Sequence, residues 1–290
     1  MKMKYIAVVN TINRPQHLVE RCLNALLAQK ISPLKVILID QNEIELELSL
    51  QIIENPTFQR SKVNFKSVSS ARNSLQIPEV AEWVFFCDDD GYASDDYSEI
   101  LQQLIKKFHD IEIFAGSIIR EDTNEYYSLR HKKGGSLKKF RNTKNLMGSN
   151  FVVKVTTFNK LNRFDENFGV GSYWGSSEET DLCWKAFFNK VPMDFFQELK
   201  VYHIPPFNES IKKGFIKAFK YGVGRGAMVY KWLIEKRKIV VLYEFGEMLI
   251  MPFFLSLLSI LKLKPQLIAT NFAALAGRLT GFIKAMFIKK

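Results

Sequence analysis

The chain has 290 residues, 47% of them hydrophobic, which is enough for a sizeable core and excludes a disordered polymer. Its formal net charge of +11 requires an anionic partner or surface, and nucleotide phosphates, acidic lipid and nucleic acid all qualify. Cys22, Cys87 and Cys183 are scattered, with neither a CxxC metal pair nor an even disulfide framework, so a reducing compartment is expected. The opening MKMKYIAVVN holds too few apolar residues before Asn10 for a signal-peptide core, and the cytoplasm is the expected location.

The first hundred or so residues alternate between strand and helix patterns. YIAVV (5–9) is a short apolar run, and Pro15 opens a helical pattern through Leu18, Cys22, Ala25 and Leu26. KVILI (35–39) is continuous and β-branched, as in a strand buried on both faces, and a helical-looking stretch follows at 43–54. VNFKSV (63–68), SSARNSLQ (69–76) and WVFFC (83–87) repeat the rhythm. This βαβαβ order predicts a largely parallel sheet with helices on both faces, and ligands bind such sheets beyond the carboxyl ends of the strands. Thr11, Asn13, Asp40, Arg72 and Asp88 to Asp90 are therefore expected to converge on one edge.

WVFFC runs into three aspartates, Asp88, Asp89 and Asp90. Clustered carboxylates repel one another and lose hydration, so a hard cation such as Mg²⁺ or Mn²⁺ is expected to hold them, and it could bridge to a diphosphate. The alternative is a polar loop with Ser94 or Asp95 capping the helix that runs to Phe108, which accounts for those two residues but not for the triplet.

A second acidic cluster lies in GSSEETDLCWKAFFNK (175–190). Ser176 with Glu179 fits a capping box, and Leu182, Ala186 and Phe187 form an apolar stripe, which makes Glu179 structural. Glu178, Glu179 and Asp181 are also more acid than a cap requires, and an ionised carboxylate at a helix N-terminus is a usable general base. Both readings stand at this point.

The order and spacing of TINRP (11–15), VILIDQN (36–42), SSARNS (69–74), FFCDDDG (85–91), GSNFVVK (148–154), FDENFGVGSYWGSSEETDLCWKA (164–186) and VYH (201–203) are more specific than any one fragment. Together they resemble the family 2 glycosyltransferases of the GT-A fold, over roughly residues 4–230. The resemblance implies an α/β, Rossmann-like catalytic domain at 1–208, with a mostly parallel central sheet flanked by helices. Its nucleotide-binding half would cover about 1–118 and its acceptor-binding half about 119–208. It implies that Thr11, Asn13, Arg14 and Asp40 contact the nucleotide, with Arg72 beside them. Asp88 and Asp90 would form the DxD pair, Asp90 on a divalent cation (Mn²⁺ or Mg²⁺) and Asp88 towards the ribose, diphosphate or metal. His203 matches a position that supplies a further metal ligand in some members.

The same resemblance puts Gly148, Ser149, Asn150, Trp174 and Asp181 at the sugar or acceptor site. Aligning the family's Glu-Asp-x-Asp-Leu motif on Asp181-Leu182 places Glu179 where an Asp base is usual, with Glu178 as the alternative, and Lys185 replaces a usual Arg. The implied reaction is an inverting displacement without a covalent enzyme intermediate, moving a sugar from UDP or dTDP to a hydroxyl of a glycan or lipid-linked acceptor in surface polysaccharide synthesis. Two alternatives are a nucleotidyltransferase, for which NTINRP is a poor phosphate loop, and a non-catalytic, membrane-bound nucleotide-sugar-binding protein.

From Lys212 to Lys238 the chain is strongly basic, with Phe215, Phe219, Tyr221, Tyr230 and Trp232 interleaved. LIMPFFLSLLSIL (249–261) is apolar but short for a bilayer and interrupted by Pro252, and 267–290 carries Ile268, Phe272, Leu275, Leu279, Phe282 and Met286 at helical spacing. Residues 209–290 are therefore expected to form a helical, basic and amphipathic extension, peripheral on the inner face of the cell membrane through acidic lipid, with no nucleic-acid partner. The alternative is helices packed on the catalytic domain or in a homo-oligomer. A transmembrane pair is disfavoured by Glu244, Glu247, Lys262, Lys264 and Arg278.

Overall fold

Continuous apolar runs make the middle of the sheet. In the computed structural model, which describes residues 2–205, 210–261 and 264–288, eight strands form one sheet. They are β1 (Tyr5–Thr11), β2 (Lys35–Asp40), β3 (Phe58–Lys62), β4 (Trp83–Asp88), β5 (Gly91–Ala93), β6 (Ile113–Arg120), β7 (Asn150–Lys154) and β8 (Met193–His203), in the order β3-β2-β1-β4-β7-β6-β8-β5. The helices are α1 (Gln16–Leu27), α2 (Leu50–Ile53), α3 (Val68–Asn73), α4 (Tyr97–Lys107), α5 (Leu129–Lys133), α6 (Val155–Lys160), α7 (Glu178–Phe188), α8 (Ile211–Tyr230), α9 (Leu242–Leu261) and α10 (Pro265–Phe287). Lys262 and the boundary expected at 208/209 lie outside the described residues.

The chain divides into two compact units, Met1–Phe164 with Leu182–Pro205, and Asp165–Asp181 with Pro206–Lys290. In the first, β3, β2, β1 and β4 are parallel, as the βαβ rhythm predicts. Beyond β4 the sheet is mixed: β7 runs antiparallel to β4 and β6, β6 pairs parallel with β8, and β5 antiparallel with β8. Strand periodicity divides the apolar side chains between two cores. Tyr5, Ala7, Val9, Leu38, Phe85 and Cys87 enter one, and Ile6, Val8, Ile39, Val84 and Phe86 the other.

Three local expectations are corrected. The third strand is FQRSK at Phe58–Lys62, not 63–68, because this edge strand is half-exposed and polar and carries no apolar run. Val68 instead opens α3, whose N-cap Ser67 accepts from Ser70 N at 3.4 Å. Of the stretch 43–54, only Leu50–Ile53 is helical, since the Asp40 carboxylate binds the backbone of the preceding loop. The residue at the N-cap of α4 is Asp96, not Ser94 or Asp95, and β5 separates it from the aspartate triplet, so the triplet is not a helix cap.

In the second unit, glycines let α8 and α10 approach closely. A Cβ on Gly226 would lie 2.0 Å from the Arg278 carbonyl oxygen, and one on Gly281 would lie 2.0 Å from that of Val223. Gly222 and Gly226 on α8 and Gly277 and Gly281 on α10 thus form a small-xxx-small interface on each helix. Helix α9 joins through Phe245 against Phe282, with ring centroids 5.0 Å apart, and through Arg278 Nη1, which donates to Met248 O at 2.8 Å. Arg225 pairs with the buried Glu244. From Ile250 to Leu261, α9 exposes Ile250, Met251, Phe253, Phe254, Leu255, Leu257, Leu258, Ile260 and Leu261. The span Ile239–Leu261, mean hydropathy 1.7, is among the described residues the one helical stretch long and apolar enough to cross a membrane.

Candidate active site

The carboxyl ends of β1 and β4 lie side by side, with Asn10 opposite Asp88 in register. Three consecutive aspartates there take three different environments. Asp88 Oδ1 sits 3.4 Å from Arg72 Nη2. Burial pushes the Asp88 carboxyl up against the pull of Arg72, although its side chain remains 39% exposed and water softens the effect. Arg72 is buried; its Nε donates to Asn10 Oδ1 at 3.3 Å, and its guanidinium lies 5.4 Å from the centroid of the Phe86 ring.

Asp89 turns towards the loop after β1. It accepts from Thr11 Oγ1 at 2.8 Å and Arg14 Nε at 2.9 Å, and burial pushes its carboxyl up to about 6 despite Arg14. Asp90 receives Arg14 Nη1 at 3.1 Å and His203 Nε2 at 2.9 Å. Burial works to raise the Asp90 carboxyl, but the His203 hydrogen bond and the charges of His203 and Arg14 outweigh it and hold it below the usual range.

His203 ends β8, directly opposite Gly91 in β5. Burial disfavours its charged form, yet Asp90 raises its pKa above the ordinary value. Its Nδ1 is 2.9 Å from the Ile204 carbonyl, a contact that makes Nδ1 the N–H donor and presents Nε2 to the cluster. One ligand atom from each of Asp88, Asp90 and His203 lies within 4.8 Å of the others. Two carboxylates and an imidazole oriented by a backbone carbonyl fit Mn²⁺ or Mg²⁺.

The other expected nucleotide residues are placed differently. Asn13, with φ 53°, donates its backbone N–H to Asn42 Oδ1 at 2.6 Å. Asp40 is fully buried, and its carboxylate accepts from Asn42 N at 3.0 Å, Asn42 Nδ2 at 2.8 Å and Leu46 N at 3.2 Å. It shapes the loop after β2 rather than facing outwards. Gly148 and Ser149 lie just before β7, Ser149 buried.

Asn150, expected at the sugar or acceptor site, is tied into the sheet. Its Nδ2 donates to Ser117 O at 2.8 Å and Leu199 O at 3.0 Å, and its Oδ1 accepts from Tyr97 OH at 2.7 Å. The cause is the register irregularity between Gly116 and Ser117 where β6 meets β8, which leaves carbonyls for the amide to satisfy.

In the second unit, Glu178 and Glu179 are half-buried in the first turn of α7, and Thr180 Oγ1 donates to Glu179 Oε1 at 3.3 Å. The residue before the helix is Ser177, with φ 76°, so Ser176 does not form the expected capping box; its hydroxyl donates to Tyr221 O at 3.0 Å. Trp174 is buried beneath the exposed Tyr173, over which Lys284 Nζ lies 4.5 Å from the ring centroid. Asp181, expected to contact acceptor, is fully buried and accepts from Lys231 Nζ at 2.6 Å and Trp232 Nε1 at 2.7 Å. In the first unit, Lys185 Nζ donates to Arg163 O at 2.9 Å. The sequence placed Asp89 with its neighbours around a cation and did not anticipate its pairing with Thr11 and Arg14, nor the contacts of Asn10, Lys231 and Trp232. A signal for the Asp89 pairing lay in Thr11 and Arg14, two donors at and just past the end of β1.

The mixed α/β sheet with its flanking helices has the GT-A fold. The profile of glycosyl transferase family 2 matches residues 6–165, more than half of the chain, and the chain belongs to that family. Among solved structures, residues 1–349 of S. aureus TarS in complex with UDP-GlcNAc align with a TM-score of 0.64 at 16% identity, over 97% of this chain and 89% of that one. A crystal structure of S. aureus TarS gives 0.60 at 17% identity, over 84% and 43% of the two chains. TarS 1–349 in complex with UDP gives 0.56 at 15% identity, over 97% and 91%. At these identities the likeness is one of fold. No curated protein matches the sequence.

Proposed function

We propose that this glycosyltransferase moves a sugar from a nucleoside diphosphate, UDP or dTDP, to a hydroxyl of a glycan or lipid-linked acceptor with inversion at the anomeric carbon. The observation that carries the reading is the cluster of Asp88, Asp90 and His203 at the end of β4 in a family 2 chain. These residues would hold Mn²⁺ or Mg²⁺, which when bound neutralises charge on the departing diphosphate. The UDP-GlcNAc and UDP complexes of TarS make UDP-sugars the first donors to test.

The chain's own groups have the following roles. Arg14 and Arg72 offset the negative charge of the triplet and orient it. Thr11, at the end of β1, and Asn13, in the loop after it, border the nucleotide, and Asp40 sets the shape of the neighbouring loop. Glu179, with Glu178 as the alternative, takes the proton of the acceptor hydroxyl as its oxygen bonds to the anomeric carbon. The bond from that carbon to the phosphate oxygen breaks on the opposite face, so the product is inverted and no enzyme-bound sugar forms. Gly148, Ser149 and Trp174 remain acceptor-side candidates, whereas Asn150 and Asp181 act as scaffold. The test is nucleoside diphosphate release from a sugar-nucleotide panel with Mn²⁺ and a glycan acceptor; Glu179→Gln should abolish release, and undiminished release by that variant would remove Glu179 from the mechanism.

The second unit supports peripheral attachment to acidic membrane. Exposed apolar residues of α9 lie in the same helical unit as the exposed Lys212, Lys213, Lys217 and Lys220 of α8, and each such lysine near acidic lipid contributes about 1 kcal/mol. Flotation of the full chain with vesicles containing phosphatidylglycerol but not with pure phosphatidylcholine is expected. Equal recovery with neither, together with a concentration-dependent oligomer, would assign the face to a second copy.

A further inference from the structure

The segment Asp165–Asp181, a loop that runs into the first turn of α7, has a carboxylate at each end, and one ammonium holds both. Lys231 Nζ is 2.8 Å from Asp165 Oδ2 and 2.6 Å from Asp181 Oδ1. Trp232 Nε1 donates to the same Asp181 oxygen at 2.7 Å. Lys231 and Trp232 open a π-helical turn, Lys231–Glu235, that follows α8. Such a turn inserts extra backbone into a helix and is a recurrent device for aiming side chains. Lys231 is 7% exposed and Asp181 fully buried, and the ammonium also lies 5.1 Å from the centroid of the Phe168 ring, inside the loop.

The loop has little regular structure to define its shape. Gly169, Gly171, Gly175 and Ser177 all have positive φ, and 165–177 contains no helix or strand. Further ties run to α8, where Ser176 Oγ donates to Tyr221 O at 3.0 Å and a Cβ on Gly224 would meet Ser176 Oγ at 2.2 Å and Trp174 O at 2.8 Å, and to α10, whose Lys284 Nζ lies 4.5 Å from the Tyr173 ring centroid. Burial opposes ionisation of Asp165, but Lys231 pulls its carboxyl down to about 2, and the two carboxylates raise Lys231, so the clasp is charged at neutral pH.

We propose that Lys231 is a positioning residue that fixes both ends of the 165–181 loop and thereby the first turn of α7, which carries Glu178 and Glu179. The inference rests on the reading of that turn as the source of the general base. It makes the region beyond residue 206 part of the catalytic apparatus and not only a means of attachment.

The test uses the full chain with Asp165→Asn, Lys231→Met and Lys231→Arg. Amide hydrogen exchange across 166–180, UDP affinity, and kcat and acceptor KM are measured on each. Asp165→Asn keeps the Lys231–Asp181 pair and so remains informative if Lys231→Met does not fold. Exchange faster by about tenfold in that loop, kcat lower by about 10- to 100-fold, UDP affinity unchanged and recovery in Lys231→Arg are expected. Parental exchange and kcat in Asp165→Asn would overturn the proposal, as would a loosened loop with parental kcat. Failure of the base assignment shows separately, as parental kcat in Glu179→Gln.

Discussion

His203 meets Asp90 through Nε2 at 2.9 Å while its Nδ1 is tied to its neighbour's carbonyl, so the imidazole is oriented from behind and offers one nitrogen to the acidic cluster. A cation held there by His203 would have to replace the proton on Nε2. Because Asp90 raises the His203 pKa, Mn²⁺ affinity should strengthen as pH rises through the His203 titration, and this dependence should flatten in His203→Gln. Calorimetric titration with Mn²⁺ across neutral pH measures it; an identical pH dependence in the variant would remove His203 from the ligand set.

The three aspartates should not be equivalent. Asp89 is held by Thr11 and Arg14, whereas Asp90, which shares Arg14, also meets His203 and joins Asp88 and His203 in one group of ligand atoms. Asp89→Asn is therefore expected to lower stability by about 1–3 kcal/mol, through imperfect pairing with two donors, while keeping metal-dependent nucleotide binding. Asp88→Asn and Asp90→Asn should lose that binding with smaller effects on stability. Thermal unfolding with UDP titration on all three separates the roles, and loss of binding confined to Asp89→Asn would reverse the assignment.

The clasp at Lys231 carries a pH signature. Asp165 has its pKa lowered to about 2, so its stabilising contribution is present above its unfolded value and is lost as pH falls through the folded one. Between about pH 5 and pH 1 the parent should lose roughly 2.5 kcal/mol from this group. Asp165→Asn should show a correspondingly shallower acid limb in denaturant titrations, and superimposable limbs would contradict the pairing.

The core strands were legible because β1, β2 and β4 are buried on both faces and read as unbroken apolar runs. The edge strand β3 and the three-residue β5 were not, since neither has a hydrophobic pattern. Family order pointed to Asp88, Asp90 and His203, but their gathering depends on β5 pairing with β8, a contact far apart in sequence. Lys231 was hidden for a different reason. It is one buried lysine in a run of exposed ones, and composition does not separate a clasp from a surface charge. Asn150 misled because a polar residue in a family motif was read as a ligand contact, when its amide satisfies carbonyls at a sheet irregularity.

The α8–α10 interface gives a paired test. Gly226→Ala forces a methyl group against the Arg278 carbonyl and should cost about 1–3 kcal/mol or more. Gly246→Ala, within α9, meets nothing within 4 Å and should stabilise by up to about 1 kcal/mol through helix propensity. Melting temperatures that move in the same direction for both variants would count against the close packing.

The most direct measurement is a UDP titration with and without Mn²⁺ on the parent and on Asp90→Ala. Binding that requires Mn²⁺ in the parent and disappears in the variant is the expected result. UDP binding of equal strength in both proteins, indifferent to the metal, would contradict the assignment of Asp88, Asp90 and His203 as the centre that holds the sugar nucleotide.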